Sequence, residues 1–537
     1  MSEIVLDVEG LRVEARSDAG PGPVLVENAS FQLRRGDVLG LIGESGAGKS
    51  TIGLAVLGYT RPGCAITGGK ILFKGRDIRT MSSEERRALR GPGVAYIAQS
   101  AAASFNPAMT LLEQVCEIPV RHGLMSVEAA TKIAIGLFRE LELPDPETFG
   151  RRYPHQVSGG QLQRAMAAMA MAAKPDILVF DEPTTALDVT TQVEVLASFR
   201  KLIREHRTAA IYITHDLAVV AQIADAIMVL RHGKTIEHGT AAQILENPRE
   251  EYTRRLVAER VHGHAYVEQD STTEPPLLSL RSVTASYASL PRVIDGVSLE
   301  VRRGDTLAVV GESGSGKSTL ARVITGLLPR EAGEIAFRGT ALPPRLAERS
   351  RDQLRLIQMI YQMPDVALNP YQSLHDIIGR PVAFYFNRSR NDIRSRVLEL
   401  LAMMELPADY IDRRPGELSG GEKQRVGIAR ALAAEPDLII CDEVTSALDQ
   451  LVGEEILRLL KRLQDELGIA YLFITHDLGI VRRIANKVAV MLKGRMVAAG
   501  DTETVFNPPF HPYTELLLAS VPEMRRDWLD DVLRRQT

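Results

Sequence analysis

Gly43-Glu44-Ser45-Gly46-Ala47-Gly48-Lys49-Ser50-Thr51 directly follows an apolar run at residues 38–42, which is typical of a buried strand. Its glycines let successive backbone N–H groups point at a polyphosphate, and the helix that follows adds the positive end of its dipole. We expect Lys49 to reach the β- and γ-phosphates and the Ser50 hydroxyl to ligate Mg²⁺. The full pattern after a strand therefore predicts a nucleotide phosphate site, and a merely mobile glycine loop is the weaker interpretation.

The same pattern occurs again as Gly311-Glu312-Ser313-Gly314-Ser315-Gly316-Lys317-Ser318-Thr319. Further features follow each copy in the same order. They are Gln99, Ser158-Gly159-Gly160-Gln161, Asp181-Glu182 and His215 in the first half, and Gln362, Ser419-Gly420-Gly421-Glu422, Asp442-Glu443 and His476 in the second. The same number of residues separates aspartate from histidine in both halves. A duplication with a period of about 260 residues indicates two copies of one domain.

Bulk composition limits the function classes. A chain of 537 residues is too long for one core, and its 45% apolar and 25% charged residues are ordinary for a globular protein. The net charge of −4 offers no bulk attraction to nucleic acid. The three cysteines form no CxxC pair, so neither a disulfide framework nor a zinc site is expected. We find no secretion signal and no apolar run of membrane-spanning length, so a membrane role is expected to come through partners.

Local patterns predict the secondary structure around these motifs. Strands are expected at residues 4–13, 94–98, 177–180 and 209–214, with a turn-rich interruption at 18–23, a strand and turn at 68–80, and helices at 50–57 and 82–89. Residues 100–140 are rich in alanine and leucine and predict a helical insertion. Residues 177–180 are continuously apolar, as in a parallel strand covered on both faces. Carboxylates that follow such a strand lie at the crevice where α/β sheets bind ligands.

Taken together, the motifs resemble the nucleotide-binding domain of ATP-binding cassette (ABC) transporters, present twice. The resemblance implies an α/β fold with two tandem P-loop ABC ATPase domains, each a RecA-like α/β core with an antiparallel β part and a helical subdomain. We expect the first domain at residues 1–260, a linker at 261–276, which mixes polar residues, glycine and proline without periodicity, and the second domain at 277–537. The resemblance covers nearly the whole chain.

The family implies two composite ATP sites, in which each phosphate loop meets the signature loop of the other half. Lys49 and Ser50 would face Ser419, Gly420 and Gly421, while Lys317 and Ser318 would face Ser158, Gly159 and Gly160. The signature positions Gln161 and Glu422 complete these loops.

The family also implies a role for each remaining motif residue. Asp181 and Asp442 would hold Mg²⁺ through water, and Glu182 and Glu443 would polarise the attacking water. His215 and His476 would contact the γ-phosphate. Gln99 and Gln362 would touch metal and water while relaying motion to the helical subdomain, and Asp188 and Asp449 resemble the loop that joins the two sites. Each residue alone has an ordinary structural explanation, and the repeated order favours function.

The tails at residues 247–256 and 507–517 resemble those of ATPases that drive oligopeptide, dipeptide and nickel importers. This resemblance implies an ATPase at the cytoplasmic face of the bacterial inner membrane, attached peripherally through two integral membrane permease subunits. An extracytoplasmic substrate-binding protein would deliver a di- or oligopeptide. Nickel, glutathione, sugar-phosphate opines and peptide antibiotics remain open as solutes.

Some positions depart from the family pattern. Tyr287 stands where an aromatic ring stacks on adenine, whereas the first half has Ala15. Val444 replaces a proline and Ser100 an acidic residue, but no reacting group is lost, so two hydrolysis-competent sites are expected. No cysteine follows Cys441, and we therefore expect no iron–sulfur cluster.

Two other function classes are weaker. Soluble tandem ABC ATPases of translation carry a long basic helical linker, and those of DNA repair carry coiled-coil or zinc-finger insertions; neither feature is present. A nucleotide-sensing scaffold without turnover is disfavoured because Glu182 and Glu443 are intact.

Overall fold

The computed structural model describes residues 3–17, 20–185, 187–261, 275–287, 292–446 and 448–536, which form two compact units. The first unit contains the described residues of Met1–Leu187, Thr191–His262 and Pro522–Thr537, and the second contains those of Asp188–Thr190 and Gly263–Val521. Most of the predicted linker, residues 262–274, lies outside the described residues. The domain boundaries at 260 and 277 therefore stay predictions.

The first unit combines a mixed sheet with helices. Its strands are β1 (Ile4–Ser17), β2 (Gly20–Arg34), β3 (Val38–Gly43), β4 (Cys64–Phe73), β5 (Arg76–Asp77), β6 (Val94–Ile97), β7 (Ile177–Asp181), β8 (Ala209–Ile213), β9 (Ala226–Arg231) and β10 (Lys234–Thr240). Its helices are α1 (Lys49–Val56), α2 (Ser83–Leu89), α3 (Ala101–Ser104), α4 (Leu111–Arg121), α5 (Val127–Glu140), α6 (Pro146–Phe149), α7 (Gly159–Met171), α8 (Val189–His206), α9 (Leu217–Ile223), α10 (Ala241–Glu246) and α11 (Glu251–Val261).

The second unit repeats this order. Its strands are β11 (Leu278–Ala285), β12 (Ile294–Val301), β13 (Thr306–Val310), β14 (Ala332–Phe337), β15 (Thr340–Ala341), β16 (Ile357–Ile360), β17 (Leu438–Asp442), β18 (Ala470–Ile474), β19 (Lys487–Leu492) and β20 (Arg495–Asp501). Its helices are α12 (Lys317–Thr325), α13 (Arg351–Leu356), α14 (Pro364–Ala367), α15 (Leu374–Phe386), α16 (Arg390–Met403), α17 (Gly420–Leu432), α18 (Gln450–Leu467), α19 (Leu478–Ile484), α20 (Thr502–Val505) and α21 (Pro512–Ala519). The last helix of the chain, α22 (Trp528–Gln536), belongs to the first unit.

Parallel strands form the centre of each unit. In the first unit β6, β7, β8, β3 and β9 are consecutive neighbours, and the pairs from β6 to β9 are parallel. The second unit repeats this arrangement with β16, β17, β18, β13 and β19. Every residue of β3, β7, β8, β13, β17 and β18 is buried, as expected for strands covered on both faces.

Antiparallel strands flank each parallel core. β1 pairs with β2 and β4, and β11 pairs with β12 and β14. The predicted helical insertion is confirmed by α3, α4 and α5. The opening strand runs longer than predicted, to Ser17, because pairing with β2 from Gly20 onward outweighs the local glycine and proline signals. Across the described residues, no helix is both long enough and apolar enough to span a bilayer.

Candidate functional site

Sheet topology brings the motif residues of each unit to one edge. β3 lies between β8 and β9, and β7 lies beside β8. Because parallel strands point the same way, the segments after β3, β7 and β8 leave from one edge of the sheet. These segments carry the glycine loop, the Asp181-Glu182 pair and His215. The second unit brings the loop at Gly311, Asp442-Glu443 and His476 together in the same way.

The first glycine loop requires glycine for steric reasons. Gly43 has φ +154°, and a Cβ there would lie 2.1 Å from the carbonyl oxygen of Leu230. A Cβ at Gly46, in contrast, would meet nothing within 4 Å, so the loop tip faces open space. The Lys49 ammonium donates hydrogen bonds to the carbonyl oxygens of Gly43, at 2.6 Å, and Glu44, at 2.9 Å. The loop therefore holds a buried lysine beside a cradle with room for phosphate.

The second loop has the same construction. The Lys317 ammonium donates to the carbonyl oxygens of Gly311, at 2.7 Å, and Glu312, at 2.8 Å. Burial lowers the pKa of Lys317 below its usual value, although nearby carboxylates oppose the shift. A Cβ at Gly314 would again meet open space.

A serine and an aspartate adjoin each loop. The Ser50 hydroxyl donates to Asp181 at 2.8 Å, and the Ser318 hydroxyl donates to Asp442 at 3.0 Å. Burial, aided by the charge of Glu443, raises the pKa of Asp442. These hydroxyl and carboxylate oxygens are of the kind that Mg²⁺ prefers.

The two serine–aspartate pairs differ in one neighbour. Tyr96 on β6 donates a hydrogen bond to Asp181, and burial together with this contact raises the pKa of Tyr96 far above its usual value. Strand register places Met359 at the equivalent position of β16, because Tyr96 pairs with Val179 and Met359 with Ile440. Sequence analysis did not single out Tyr96, for which the only signal was a tyrosine within an otherwise apolar strand.

The glutamate that follows each aspartate pairs with a histidine. A carboxylate oxygen of Glu182 lies 3.3 Å from His215 Nδ1, and the matching distance from Glu443 to His476 Nδ1 is 3.4 Å. Burial alone would raise the pKa of both glutamates, but the histidines, together with the loop lysines and a neighbouring hydroxyl, hold both below their usual value. Burial would likewise lower the pKa of each histidine, yet the glutamates raise it.

The same glutamates adopt left-handed backbone conformations. Glu182 has φ +48° and Glu443 has φ +51°. A non-glycine residue in this region is energetically costly, and such residues cluster at functional sites. The backbone N–H groups donate to Ile213 and Ile474 at 2.9 Å, so the neighbouring strands fix the conformation. Each strand ends at the aspartate directly before this residue.

The two glutamines contact the glutamates. Gln99 Nε2 donates to Glu182 at 3.4 Å, and Gln362 Nε2 donates to Glu443 at 2.6 Å. Both glutamines follow strands at the edge of the parallel core and precede the helical insertion. Their predicted contacts with metal and water stay predictions.

The signature residues begin a helix in each unit. The hydroxyls of Ser158 and Ser419 accept hydrogen bonds from the third residue of α7 and α17, at 3.3 and 3.4 Å. A Cβ at Gly160 would lie 2.2 Å from the Thr191 side chain, so glycine is needed for packing on α8. Ser158 and Gly159 are exposed, as a ligand contact requires.

Tyr287, which is predicted to stack on adenine, is positioned by α12. Its hydroxyl accepts a hydrogen bond from Arg322 at 2.9 Å. The register places Ala15 at the matching position of the first unit, because Val13 pairs with Val26 as Ala285 pairs with Ile294. The two halves therefore carry different residues, alanine and tyrosine, at the same position of the fold.

The loop aspartates occupy different surroundings. Asp188 belongs to the second compact unit, where its carboxylate accepts a hydrogen bond from the backbone N–H of Ser313 at 3.3 Å. Thr190, in the same unit, donates to the Glu312 carboxylate at 3.0 Å. Asp449 accepts from the N–H of Val452 at 3.1 Å and caps α18.

Comparison with known proteins identifies the family of this chain. The family model "ABC transporter" matches residues 26–185 and 294–446, and "Oligopeptide/dipeptide transporter, C-terminal region" matches 497–537. The glutathione import ATP-binding proteins GsiA of Shigella boydii and of Escherichia coli K12 are each 38% identical to this chain, over 96% of this chain and 89% of their own length. The solved structure of cbiO1 from Clostridium perfringens, described as part of the ABC transporter complex cbiONQ, is 30% identical over 43% of this chain and 90% of its own, with a TM-score of 0.39.

The family models and the GsiA relatives confirm the predicted family, the fold class and the ATPase activity. The match at 497–537 also accords with the predicted type of the second tail, while the type of the first tail stays a prediction. This chain therefore belongs to the ABC transporter family, in the group of importer ATP-binding proteins, and it binds and hydrolyses ATP.

Proposed function

We propose that this chain hydrolyses ATP to energise the uptake of a short peptide. The tail match to oligopeptide/dipeptide transporters supports a peptide, and the GsiA relatives carry glutathione, a tripeptide, in their names. Glutathione is therefore the first solute to test. Nickel and the other solutes left open by the sequence are outcomes of the same test.

One observation carries the catalytic part of this proposal. In each unit, a buried lysine, a serine–aspartate pair and a glutamate–histidine pair lie at the edge where the parallel strands end. Lys49 and Lys317 would bind phosphate oxygens. Glu182 and Glu443 would accept a proton from the attacking water, work that typically contributes about 10²–10⁴-fold to a rate. His215 and His476 would contact the γ-phosphate.

The residues fit a magnesium ion. Ser50 with Asp181, and Ser318 with Asp442, supply the oxygen ligands that Mg²⁺ takes alongside phosphate and water. When bound, the ion would neutralise charge on the β- and γ-phosphates. Gln99 and Gln362 are candidates for contacts with the ion and water.

Assembly is also part of the proposal. The ATP sites would be composite, each using the phosphate loop of one half and the Ser-Gly-Gly signature of the other, as the family resemblance implies. The chain would bind two permease subunits at the cytoplasmic face of the inner membrane, and a substrate-binding protein would deliver the solute. Membership among importer ATP-binding proteins supports the permease partners.

Co-purification followed by a turnover assay tests the proposal. The chain is expected to co-purify with two membrane proteins, and ATP hydrolysis by that complex in vesicles should rise when a binding protein loaded with glutathione or a dipeptide is added. A complex stimulated only by nickel would refute the peptide proposal. A chain that never associates with a membrane protein would refute the assembly.

A further inference from the structure

The tail of the second unit reaches the phosphate loop. Tyr513 lies in the first turn of α21 and is 8% exposed. Its hydroxyl accepts a hydrogen bond from the backbone N–H of Glu312, the second loop residue, at 2.9 Å. His511 accepts the N–H of Tyr513 at 3.2 Å, and the Tyr513 ring packs in an apolar cluster that includes Val310, the residue before the loop. Hydrogen bonds therefore hold the tyrosine both at its hydroxyl and at its backbone N–H.

The peptide group between Gly311 and Glu312 joins Tyr513 to the loop lysine. Its N–H donates to Tyr513, and its carbonyl oxygen accepts from Lys317 at 2.7 Å. A trans peptide points these two groups in opposite directions, so the tyrosine and the lysine hold the same rigid plane from opposite sides. Hydrogen bonds in such a chain polarise and strengthen one another.

The first unit also has a tyrosine beside its loop, but its surroundings differ. Tyr252 is also 8% exposed, and its hydroxyl lies close to the backbone and the carboxylate of Glu44, although without a hydrogen bond of standard geometry. Arg231 lies over the Tyr252 ring at 4.7 Å, and it lies 3.6 Å from the carboxylate of Glu44. The second unit has Leu492 at the position of Arg231, since each is the last residue of its strand. Beside the first loop an arginine thus accompanies the tyrosine, whereas the second loop has a leucine at that position.

We propose that Tyr513 is a positioning residue for ATP binding, which orients Lys317 through the Gly311–Glu312 peptide. Loss of its hydroxyl frees this peptide to rotate and moves the lysine away from the phosphates. The oligopeptide-type tail is then part of the second ATP site and not only an extension of the domain. This inference rests on the proposed ATP sites.

The test isolates the second loop. In a Lys49→Ala chain, which retains the second loop, Tyr513→Phe should weaken ATP binding about 2- to 12-fold, the range expected for one buried hydrogen bond. In the same Lys49→Ala chain, the matched variant Tyr471→Phe should leave ATP affinity unchanged, because the hydroxyl it removes donates to the carbonyl oxygen of Leu460, at 3.0 Å, and not to the loop. Phenylalanine keeps the ring packing in both variants.

A second readout distinguishes positioning from general support of the fold. Hydrogen exchange of the Glu312 amide should become faster in Tyr513→Phe, while the melting temperature falls no more than in Tyr471→Phe. Unchanged ATP affinity in Tyr513→Phe would overturn the inference, whatever the amide exchange shows. Absence of ATP binding in Lys49→Ala with Tyr513 intact would overturn the proposed second site, and the inference with it.

Discussion

Replacing Glu182 and Glu443 by glutamine, singly and together, tests the chemistry most sharply. Glutamine keeps the shape of the side chain and can still accept a hydrogen bond from the Gln99 or Gln362 amide. It cannot take a proton from water, and it cannot form the charged pair with His215 or His476. The substitution therefore removes the proposed base while leaving the loops and the serine–aspartate pairs in place.

The magnitude follows from the role and the geometry. A general base typically contributes about 10²–10⁴-fold to a rate, which corresponds to roughly 3–5 kcal/mol of barrier. Both glutamates have the same backbone conformation and almost the same distance to their histidine, at 3.3 and 3.4 Å. We therefore expect the two single variants to lose similar activity. The double variant should lose the full rate contribution of about 10²–10⁴-fold.

Phosphate release under saturating ATP measures the effect, with ATP affinity measured in parallel. A matched control is Glu435→Gln, because Glu435 has the same left-handed conformation, with φ +50°, but lies outside the site with a 44% exposed side chain. The control should keep wild-type turnover. Full activity in Glu182→Gln alongside a dead Glu443→Gln would refute the symmetric roles, and full activity in the double variant would refute the base.

Three further predictions concern stability. Gly160→Ala should destabilise the first unit by about 1–3 kcal/mol in denaturant unfolding, since the added methyl lies 2.2 Å from the Thr191 side chain; wild-type stability would contradict the packing. The pKa of His215 is raised above 6.5 and that of Glu182 is lowered below 4.5. The pair therefore stabilises the nucleotide-free fold most between pH 4.5 and pH 6.5. This stabilisation is lost as the pH rises through the pKa of His215 in the folded state, or falls through that of Glu182. The unfolding cost of His215→Gln should accordingly shrink above pH 6.5, and a pH-independent cost would contradict the pair. The buried Gln222 amide donates hydrogen bonds to the carbonyl oxygens of residues 523 and 525, at 2.7 and 2.9 Å. Gln222→Ala should therefore release the segment before α22, at a cost of about 1–3 kcal/mol. Faster proteolysis of that segment would show the release, and unchanged proteolysis would contradict this role.

The architecture was predictable because its signals are local and repeated. A glycine loop between an apolar strand and a helix has few structural solutions, and the second copy removed the ambiguity that each lone aspartate or histidine carries. The apolar run at residues 177–180 is long enough for a strand and has no amphipathic period, so its place in a parallel core could be inferred.

Contacts between distant segments could not be predicted in this way. Tyr513 lies in a helix far along the chain from Glu312, and nothing in either segment indicates that a hydroxyl and an N–H will meet. The contact of Tyr96 with Asp181 depends likewise on strand register. The docking of α22 in the first unit depends on Gln222, which bonds residues about 300 positions away.

One chain is expected to bind two ATP molecules through its two glycine loops. Equilibrium dialysis with labelled ATP and Mg²⁺, using the Glu182→Gln and Glu443→Gln double variant to prevent turnover, counts them directly. We predict two bound ATP per chain, one after Lys49→Ala or Lys317→Ala, and none when both lysines are replaced. A chain that binds fewer than two ATP with both lysines present, or that still binds two without them, would contradict the account.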